Sequence, residues 1–392
     1  MELTSSTTTT TTTAALLERL VSFDTTSRNS NLPLIDFIRN YLDGIGVFYR
    51  VCPDASGHKA ALHAIIGPRE AGGLAFSGHV DTVPVDGQAW TGDPFTLRRR
   101  DGRLMARGSC DMKGFIASCL AAVPDFRARG YTRPLHLLIS YDEETSCDGA
   151  RTLIRDLDES GLRPSLCVVG EPTGMQPILA HKGKFNLNVT VRGLAGHSAE
   201  PARGVNAVHA AGEAIAMVAR ESRRLAAEGP FEAGFDPPHT TVHAGTVQGG
   251  SILNIIPERA AFTMEWRTIP GDSPRRHLDQ LRARIAETIE PAMKAVHPDC
   301  GFSYEIELEM PSMTLAEEHP LAEAVKQVSG FSSTGKVSYG TEGGFFEKAG
   351  IPAIICGPGH IAQAHKADEW IACSELDACD RFVRRLADRL LA

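Results

Sequence analysis

Five residues with metal-ligand chemistry constrain this sequence more than any other feature. They are His79 in SGHVDTVP, Asp111 in GSCDMKG, Glu144 in YDEET, Glu171 in VVGEPT and His365 in AHKADEW. Two imidazoles and three carboxylates are the donors that borderline divalent ions such as zinc favour. Five exceed the three protein ligands that a catalytic zinc usually keeps. If one carboxylate bridges, the same five give three contacts to each of two metals. Two metals about 3.5 Å apart, sharing a water, are suited to hydrolysis. A fold for this chain must therefore bring the segment around His365 back beside the N-terminal half.

Length and composition set the frame for that convergence. The 392 residues point to two domains. Hydrophobic content of 42% and charged content of 22% are those of an ordinary globular protein. No stretch approaches the ~18 uninterrupted apolar residues of a membrane span. A formal net charge of −8 argues against nucleic acid or an anionic membrane as main partner, since both select basic patches. The nine cysteines contain no CxxC pair, which fits reduced, buried thiols in a cytosolic protein. Cys110 and Cys147 are the two near the proposed metals, where packing is the expected role and ligation the alternative. The N-terminus has neither the basic nor the apolar region of a secretory signal. Its Thr7 to Thr13 run reads as a frayed lead-in to a helix starting near Ala14.

Periodicity predicts short helices over 14–23 and 34–42, and strands over 61–66, 73–77, 135–140 and 166–169. The segment after Asp111 has the small and apolar residues of a buried helix. Each proposed ligand falls at the end of a strand or at a strand–helix junction, where open α/β sheets place their ligands. The alternation of strands and helices implies a mostly parallel or mixed sheet covered on both faces. From Gly183 the texture changes. KFNLNVTVRG alternates as a half-exposed strand, a helix follows over about 206–225, and two more alternating strands come next. A helix over about 274–295 and the strand SYEIELEM close a β-α-β-β-α-β unit, the ferredoxin-like arrangement. The expected organisation is a discontinuous catalytic domain, 1–183 and 311–392, with an inserted domain over 184–310.

Each site residue also has a plainer explanation. Asp81, two residues after His79, can hold the tautomer of a metal-binding ring; the alternative is a polar strand end. Asp111 is placed to cap the following helix as well as to bind metal. Asp142, Glu143 and Glu144 repel one another unless cations are present; one would bind metal and a neighbour act as general base, or the three form a solvated turn. Gly170 and Pro172 read as stiffening the turn that presents Glu171. Asp368 or Glu369 is a candidate to orient His365, and His360 is a competing ligand in the same loop. In the insert, His197 has the setting of an oxyanion donor, arriving by domain closure or from another subunit. Arg267, flanking the insert's strands with Asn254, is suited to a two-pronged grip on a carboxylate; surface hydrogen bonds are the alternative for both. The sequence carries no GxSxG elbow, Walker loop or GxGxxG fingerprint in a suitable context.

SGHVDTVP, GSCDMKG, DEET, GEPT and a late AHKADE, in this order and spacing, resemble a known family. It is the two-zinc amidohydrolase family of acetylornithine deacetylase, succinyl-diaminopimelate desuccinylase, aminoacylases and glutamate carboxypeptidases. The resemblance covers nearly the whole chain. It implies a zinc-peptidase-like catalytic domain and makes the insert a dimerisation domain. It implies that His79 and Glu171 hold one zinc, Glu144 and His365 the other, and that Asp111 bridges them, with cobalt a possible substitute. It implies Glu143 as general base, Asp81 as partner of His79, His197 as an oxyanion donor crossing a homodimer, and Asn254 and Arg267 as carboxylate binders. YGTEGGFF, CGPGHIAQAHKADEW and FDTTSRNSNLPLIDFI resemble the branch acting on N²-acetyl-L-ornithine, and Thr341 and Glu342 in the first of these are expected at the substrate. The expected activity is hydrolysis of that amide in cytoplasmic arginine biosynthesis. The alternatives are a related N-acylamino-acid hydrolase and a non-catalytic metal-binding homologue.

Overall fold

The structure, a computed structural model, describes residues 11–392. Thr7–Thr10 of the threonine run lie outside the described residues. Thr12 caps the first helix, its side chain accepting from the Ala15 amide, so α1 (Thr13–Val21) starts within the run.

The described residues up to Ala180, with Met313–Gly335 and Thr341–Ala392, form one compact unit; His181–Ser312 with Lys336–Gly340 form the other. The short segment Lys336–Gly340 groups with the second unit, although sequence texture alone puts it in the catalytic part.

In the first unit the chain forms α2 (Leu32–Ile45), β1 (Phe48–Pro53), β2 (Ala60–Ile66), β3 (Leu74–His79), β4 (Arg98–Arg100), β5 (Arg103–Met105) and α3 (Lys113–Arg129). It continues with β6 (Leu135–Ser140), α4 (Asp148–Ser160), β7 (Leu166–Pro172) and β8 (Ile178–His181). The second unit supplies β9 (Gly183–Arg192), α5 (Ala207–Glu228), β10 (Thr241–Gly249), β11 (Arg259–Thr268), α6 (Pro274–Thr288), α7 (Glu290–Val296) and β12 (Gly301–Met310). The chain ends with β13 (Met313–Thr314), α8 (Pro320–Ser329), β14 (Gly335–Val337), α9 (Gly343–Lys348), β15 (Ala353–Gly357), β16 (Trp370–Ala372) and α10 (Cys373–Leu391).

The main path of the large sheet runs β1-β2-β6-β3-β7-β15-β8-β13. Its middle strands, β6, β3, β7 and β15, are parallel, and the β1–β2 and β2–β6 pairs are antiparallel. The sheet is therefore mixed. The middle strands are buried along their length and read as near-continuous apolar runs, as strands covered on both faces must. Helices α1, α3, α8 and α10 pack on one side, while α4 and α9 pack on the other. Parallel strands place their C-terminal ends on one edge, and that edge carries the candidate site.

The second unit holds a four-stranded antiparallel sheet in the order β10-β11-β9-β12. This is the split βαβ order expected from the sequence. Phe185, Leu187, Val189 and Val191 of β9 alternate inward with Phe262, Met264 and Trp266 of β11, beneath α5 and α6. The helix expected over 274–295 is two helices. It breaks at Ile289, and Pro291 starts the next helix, where its missing N–H costs no bond.

A buried polar knot ties α6 to this sheet. The Asp272 carboxylate accepts from Thr240 Oγ1 at 2.6 Å and Arg276 Nη2 at 2.7 Å, and meets His277 Nε2 at 2.8 Å. Burial opposes its charge, but the His277 and Thr240 hydrogen bonds outweigh it and hold the carboxyl down at about 2. A depressed carboxylate stabilises the fold above its unfolded pKa of about 4 and loses that contribution as pH falls through about 2. Asp272→Asn is expected to cost about 2 kcal/mol at pH 7 in urea denaturation. The gap to the unsubstituted protein should close as the pH is lowered from 4 towards 2; a gap that stays constant would mean the charge contributes nothing.

Candidate metal centre

The sheet's C-terminal edge collects the proposed ligands. β3 ends on His79, β6 runs into the Asp142–Glu144 acids, and the loop after β15 carries His365. Glu171 lies within β7 rather than on a turn, which corrects the sequence reading of GEPT. Gly170 is there for close approach, because a Cβ would stand 2.1 Å from the Phe115 ring. Asp111 precedes α3 without capping it; Met112 holds the N-cap position and makes no side-chain cap bond. The Asp111 carboxylate turns instead to the two histidines.

Its Oδ1 lies 3.1 Å from His79 Nε2 and its Oδ2 lies 3.3 Å from His365 Nε2. Glu171 Oε1 is 3.7 Å from His79 Nε2, and Glu144 Oε1 is 3.0 Å from His365 Nε2. Asp111 thus stands between a His79–Glu171 pair and a His365–Glu144 pair. Donor atoms of His79, Glu143 and Glu171 lie within 4.8 Å of one another, as do those of His79, Asp111 and Glu144. Glu143 therefore stands at ligand distance as well as Glu144.

The electrostatics fit cations. Glu171 Oε1 is buried without a hydrogen-bond partner, an expensive state for a lone oxygen. Burial and then neighbouring carboxylates push Glu143, Glu144 and Glu171 above the usual range. Hydrogen bonds donated to Asp111 and Glu144 raise His365 to about 10. Burial opposes a charge on His79, yet Asp111 and Asp81 raise it as well. Buried acids driven towards the protonated form and imidazoles driven towards the charged form are the electrostatics of a site that favours cations. The donor set of three carboxylates and two imidazoles, with Asp111 between the two pairs, fits two divalent ions.

Asp81 organises the surroundings. Its Oδ1 lies 3.3 Å from His79 Nδ1 and accepts the Glu143 amide at 3.1 Å. Its Oδ2 accepts from the Glu144 amide at 3.2 Å and from Ser27 Oγ at 2.8 Å. Burial works against its charge, but His79 and Ser27 hold the carboxyl below the usual range. The three adjacent acids are thus sorted. Asp142 pairs with Lys59, and Glu143 and Glu144 hang from Asp81 by their amides. Neither Ser27 nor Lys59 was legible as part of the site, because each reaches it from a distant loop with no motif of its own.

The other candidates fall elsewhere. His360 is exposed, with Nε2 3.3 Å from Glu375 Oε1, and belongs to neither donor group. Asp368 does not orient His365; it binds Arg98 and Thr91. Cys110 and Cys147 are buried with sulfurs near backbone oxygens of His360 and Glu143, so both pack rather than ligate. Thr341 and Glu342, expected at the substrate, are fully buried. Thr341 Oγ1 accepts the Gly343 amide and Glu342 accepts from Ser77 Oγ, which makes them supports beneath the sheet edge.

Three candidates belong to the second unit. His197 is exposed and bridges to Ile255, beside Asn254, whose carbonyl accepts the Ser198 amide. The Ala199 amide donates to His197 Nδ1 at 3.1 Å, so in the neutral ring the hydrogen is on Nε2. Arg267 is near the far end of β11 and half buried, donating to Glu265 Oε1 at 2.8 Å.

Residues 75–389 match the model of the peptidase family M20/M25/M40. The chain belongs to that family. It is a metal-dependent amidohydrolase. It is 37% identical over 382 residues to an acetylornithine deacetylase of Myxococcus xanthus, covering 94% of this chain and 95% of that one. It is 36% identical over 343 residues to the acetylornithine deacetylase of Klebsiella pneumoniae, covering 87% and 86%. In fold it is similar to a tripeptidase of Staphylococcus aureus, with a TM-score of 0.72 at 18% identity over 96% of this chain and 97% of that one. A dinuclear metal-binding M20 peptidase of Bacillus subtilis gives a TM-score of 0.67 at 16% identity, over 97% and 98%. Among the described residues no helix is long and apolar enough to cross a membrane.

A bound ion stabilises the folded state by mass action, about 2.7 kcal/mol per site at a hundredfold excess over its dissociation constant. Zinc added to chelator-stripped protein is expected to raise the melting temperature by about 5–10 °C. His79→Ala and His365→Ala should each reduce that rise. Identical melting with and without zinc would remove the metal assignment.

Proposed function

We propose that this chain hydrolyses N²-acetyl-L-ornithine to L-ornithine and acetate, a step of arginine biosynthesis, with two zinc or cobalt ions. The observation that carries this reading is the Asp111 carboxylate, one oxygen facing His79 and the other facing His365. The substrate assignment rests on relatives named acetylornithine deacetylase at 34–37% identity over most of this chain. In the proposed arrangement His79 and Glu171 would hold one ion and His365 and Glu144 the other, with Asp111 serving both, within a catalytic domain of 1–183 and 311–392.

Bound there, the ions would polarise the acetyl carbonyl and bring a water's pKa towards neutrality. Glu143 takes the proton of the attacking water and returns it to the departing amine. Asp81 fixes Glu143 through its amide and keeps His79 in one orientation. His197, with its hydrogen on Nε2, donates to the developing oxyanion from the partner chain of a homodimer. Support for the dimer is the exposed apolar surface of the inserted domain, Val247, Ile252, Leu253 and Ile255, beside the edge strand β10. Arg267, exchanging Glu265 for substrate, and Asn254 would hold the substrate carboxylate.

The deciding assay is a panel of N-acyl amino acids with metal-replete protein. Acetylornithine should be preferred over succinyl-diaminopimelate and over dipeptides; another preference assigns a related N-acylamino-acid hydrolase. Absence of turnover on the panel leaves a metal-binding homologue. Glu143→Ala is expected to lower turnover by about 10²–10⁴ with metal content unchanged. Loss of one ion in that variant would make Glu143 a ligand.

Removing a single oxyanion donor costs about 10²–10³ in turnover, the loss expected for His197→Ala. Mixed dimers of His197→Ala and Glu143→Ala chains should regain activity, since one of their two sites holds both residues. Verified mixed dimers that stay inactive would place His197 in its own chain's site or outside the reaction.

A further inference from the structure

Asp111 and His365 both sit on loops, and one buried carboxylate fastens those loops together. Glu369 lies four residues after His365 and is 1% exposed. Its Oε1 accepts the backbone amides of Cys110 at 2.8 Å and Asp111 at 3.0 Å. Its Oε2 accepts the Gly108 amide at 3.0 Å and Arg107 Nη1 at 2.8 Å. Its backbone carbonyl accepts the Ala106 amide at 3.1 Å. Four donors saturate the carboxylate: one is the Arg107 guanidinium, and two are the amides of Asp111 and its neighbour Cys110. Displacing Glu369 would strand several buried donors at once, each at a substantial cost.

Arg107 closes the same clamp from the other side. It is equally buried, and its Nη1 also donates to the Lys366 carbonyl at 3.4 Å. Its Nη2 donates to Gln88 Oε1, and Gln88 Nε2 donates to the His365 carbonyl at 3.1 Å. Glu369, Arg107 and Gln88 therefore tie the backbone of Asp111 to the backbone of His365. Those are the residues whose Oδ2 and Nε2 face each other at 3.3 Å. His79 and Glu171 have a different support, since both lie in strands of the central sheet.

We propose that Glu369 is a positioning residue that, with Arg107 and Gln88, sets the Asp111–His365 spacing and thereby the retention of the metal at His365 and Glu144. The inference rests on the two-ion reading above. The strand-borne His79–Glu171 position depends on the clamp much less, because only its shared Asp111 passes through it.

The test is zinc titration of stripped protein against a chromophoric chelator, with cobalt absorption as a second readout. His365→Ala identifies which of the two equivalents belongs to His365. Glu369→Gln keeps the volume but sets an amide NH₂ against one of the two pairs of donors, Gly108 with Arg107 or Cys110 with Asp111. It is expected to weaken the His365 equivalent by about 10–100-fold and alter its cobalt spectrum, leaving the other within about threefold. Two equivalents with unchanged affinity, or both weakened alike alongside a lower melting temperature, would show a purely structural role and overturn the proposal. If Glu369→Gln does not fold, Gln88→Ala decides, since it cuts the tie to His365 from a half-exposed loop. It should weaken the same equivalent several-fold, and an unchanged affinity overturns the proposal. Fewer than two equivalents in the unsubstituted protein would sink the two-ion reading and this inference with it. Two equivalents there, with unaffected variants, sink this inference alone.

Discussion

Mutual repulsion among buried carboxylates is the constraint on which this structure turns. Asp111, Glu143, Glu144 and Glu171 are brought to one edge of the sheet, where burial and proximity push three of them towards holding protons. Nothing local to the sequence favours that crowding. It is sustained by strands that are held in place elsewhere. β3 and β7 are locked into the apolar middle of the large sheet, so His79 and Glu171 are where they are because of Phe76 and Val168, not because they attract each other. Packing of order 25 cal/mol per Å² of buried apolar surface, summed over such a core, outweighs a few unfavourable carboxylate contacts. Acids crowded in this way are suited to divalent cations, whose charge would offset the repulsion.

Ligands on strands and ligands on loops are stabilised by different means. A strand residue inherits its position from the hydrogen-bonded ladder on both sides. A loop residue has no ladder, and its position must come from side chains that satisfy the loop's own amides. Asp81 does this for Glu143 and Glu144, and Glu369 does it for Gly108, Cys110 and Asp111. Each is a buried carboxylate whose acceptor capacity is taken up largely by backbone N–H groups, and each sits within a few residues of a histidine of the site. The site is built twice over, with one set of acids converging on the two histidines and a second set holding the first in place.

That division explains what the sequence disclosed. The five residues that converge here could be picked out because each stands in a local pattern, and because apolar runs such as Leu135–Ser140 end where the acids begin. The four-stranded order of the second unit followed from alternation in β9 and β11, which a half-covered sheet requires. The supports were less legible. Glu369 was visible only as a candidate orienter of His365, when its partners are amides more than 250 positions away. Lys59 and Ser27 reach the site across turns that no periodicity records. Thr341 and Glu342 were placed by resemblance at the substrate; both are fully buried, Thr341 accepting the Gly343 amide and Glu342 accepting from Ser77. The helix break at Ile289 had a local cause in Pro291, masked by an apolar pattern that continues through it.

The same logic accounts for adjacent acids doing different work. Glu143 and Glu144 are consecutive, so along a regular strand their side chains would point to opposite faces and only one could reach the site. They instead follow Asp142, which takes a left-handed φ of 58° and is anchored to Lys59. The chain leaves the strand there, and Asp81 receives both following amides, Glu143 on one oxygen and Glu144 on the other. Held by its amide, Glu143 turns its carboxyl to the His79 and Glu171 side, while Glu144 turns to His365. A single aspartate two residues beyond His79 thus separates two neighbouring glutamates. If Asp81 were lost, both amides would lose their acceptor and the two carboxyls would no longer be kept apart.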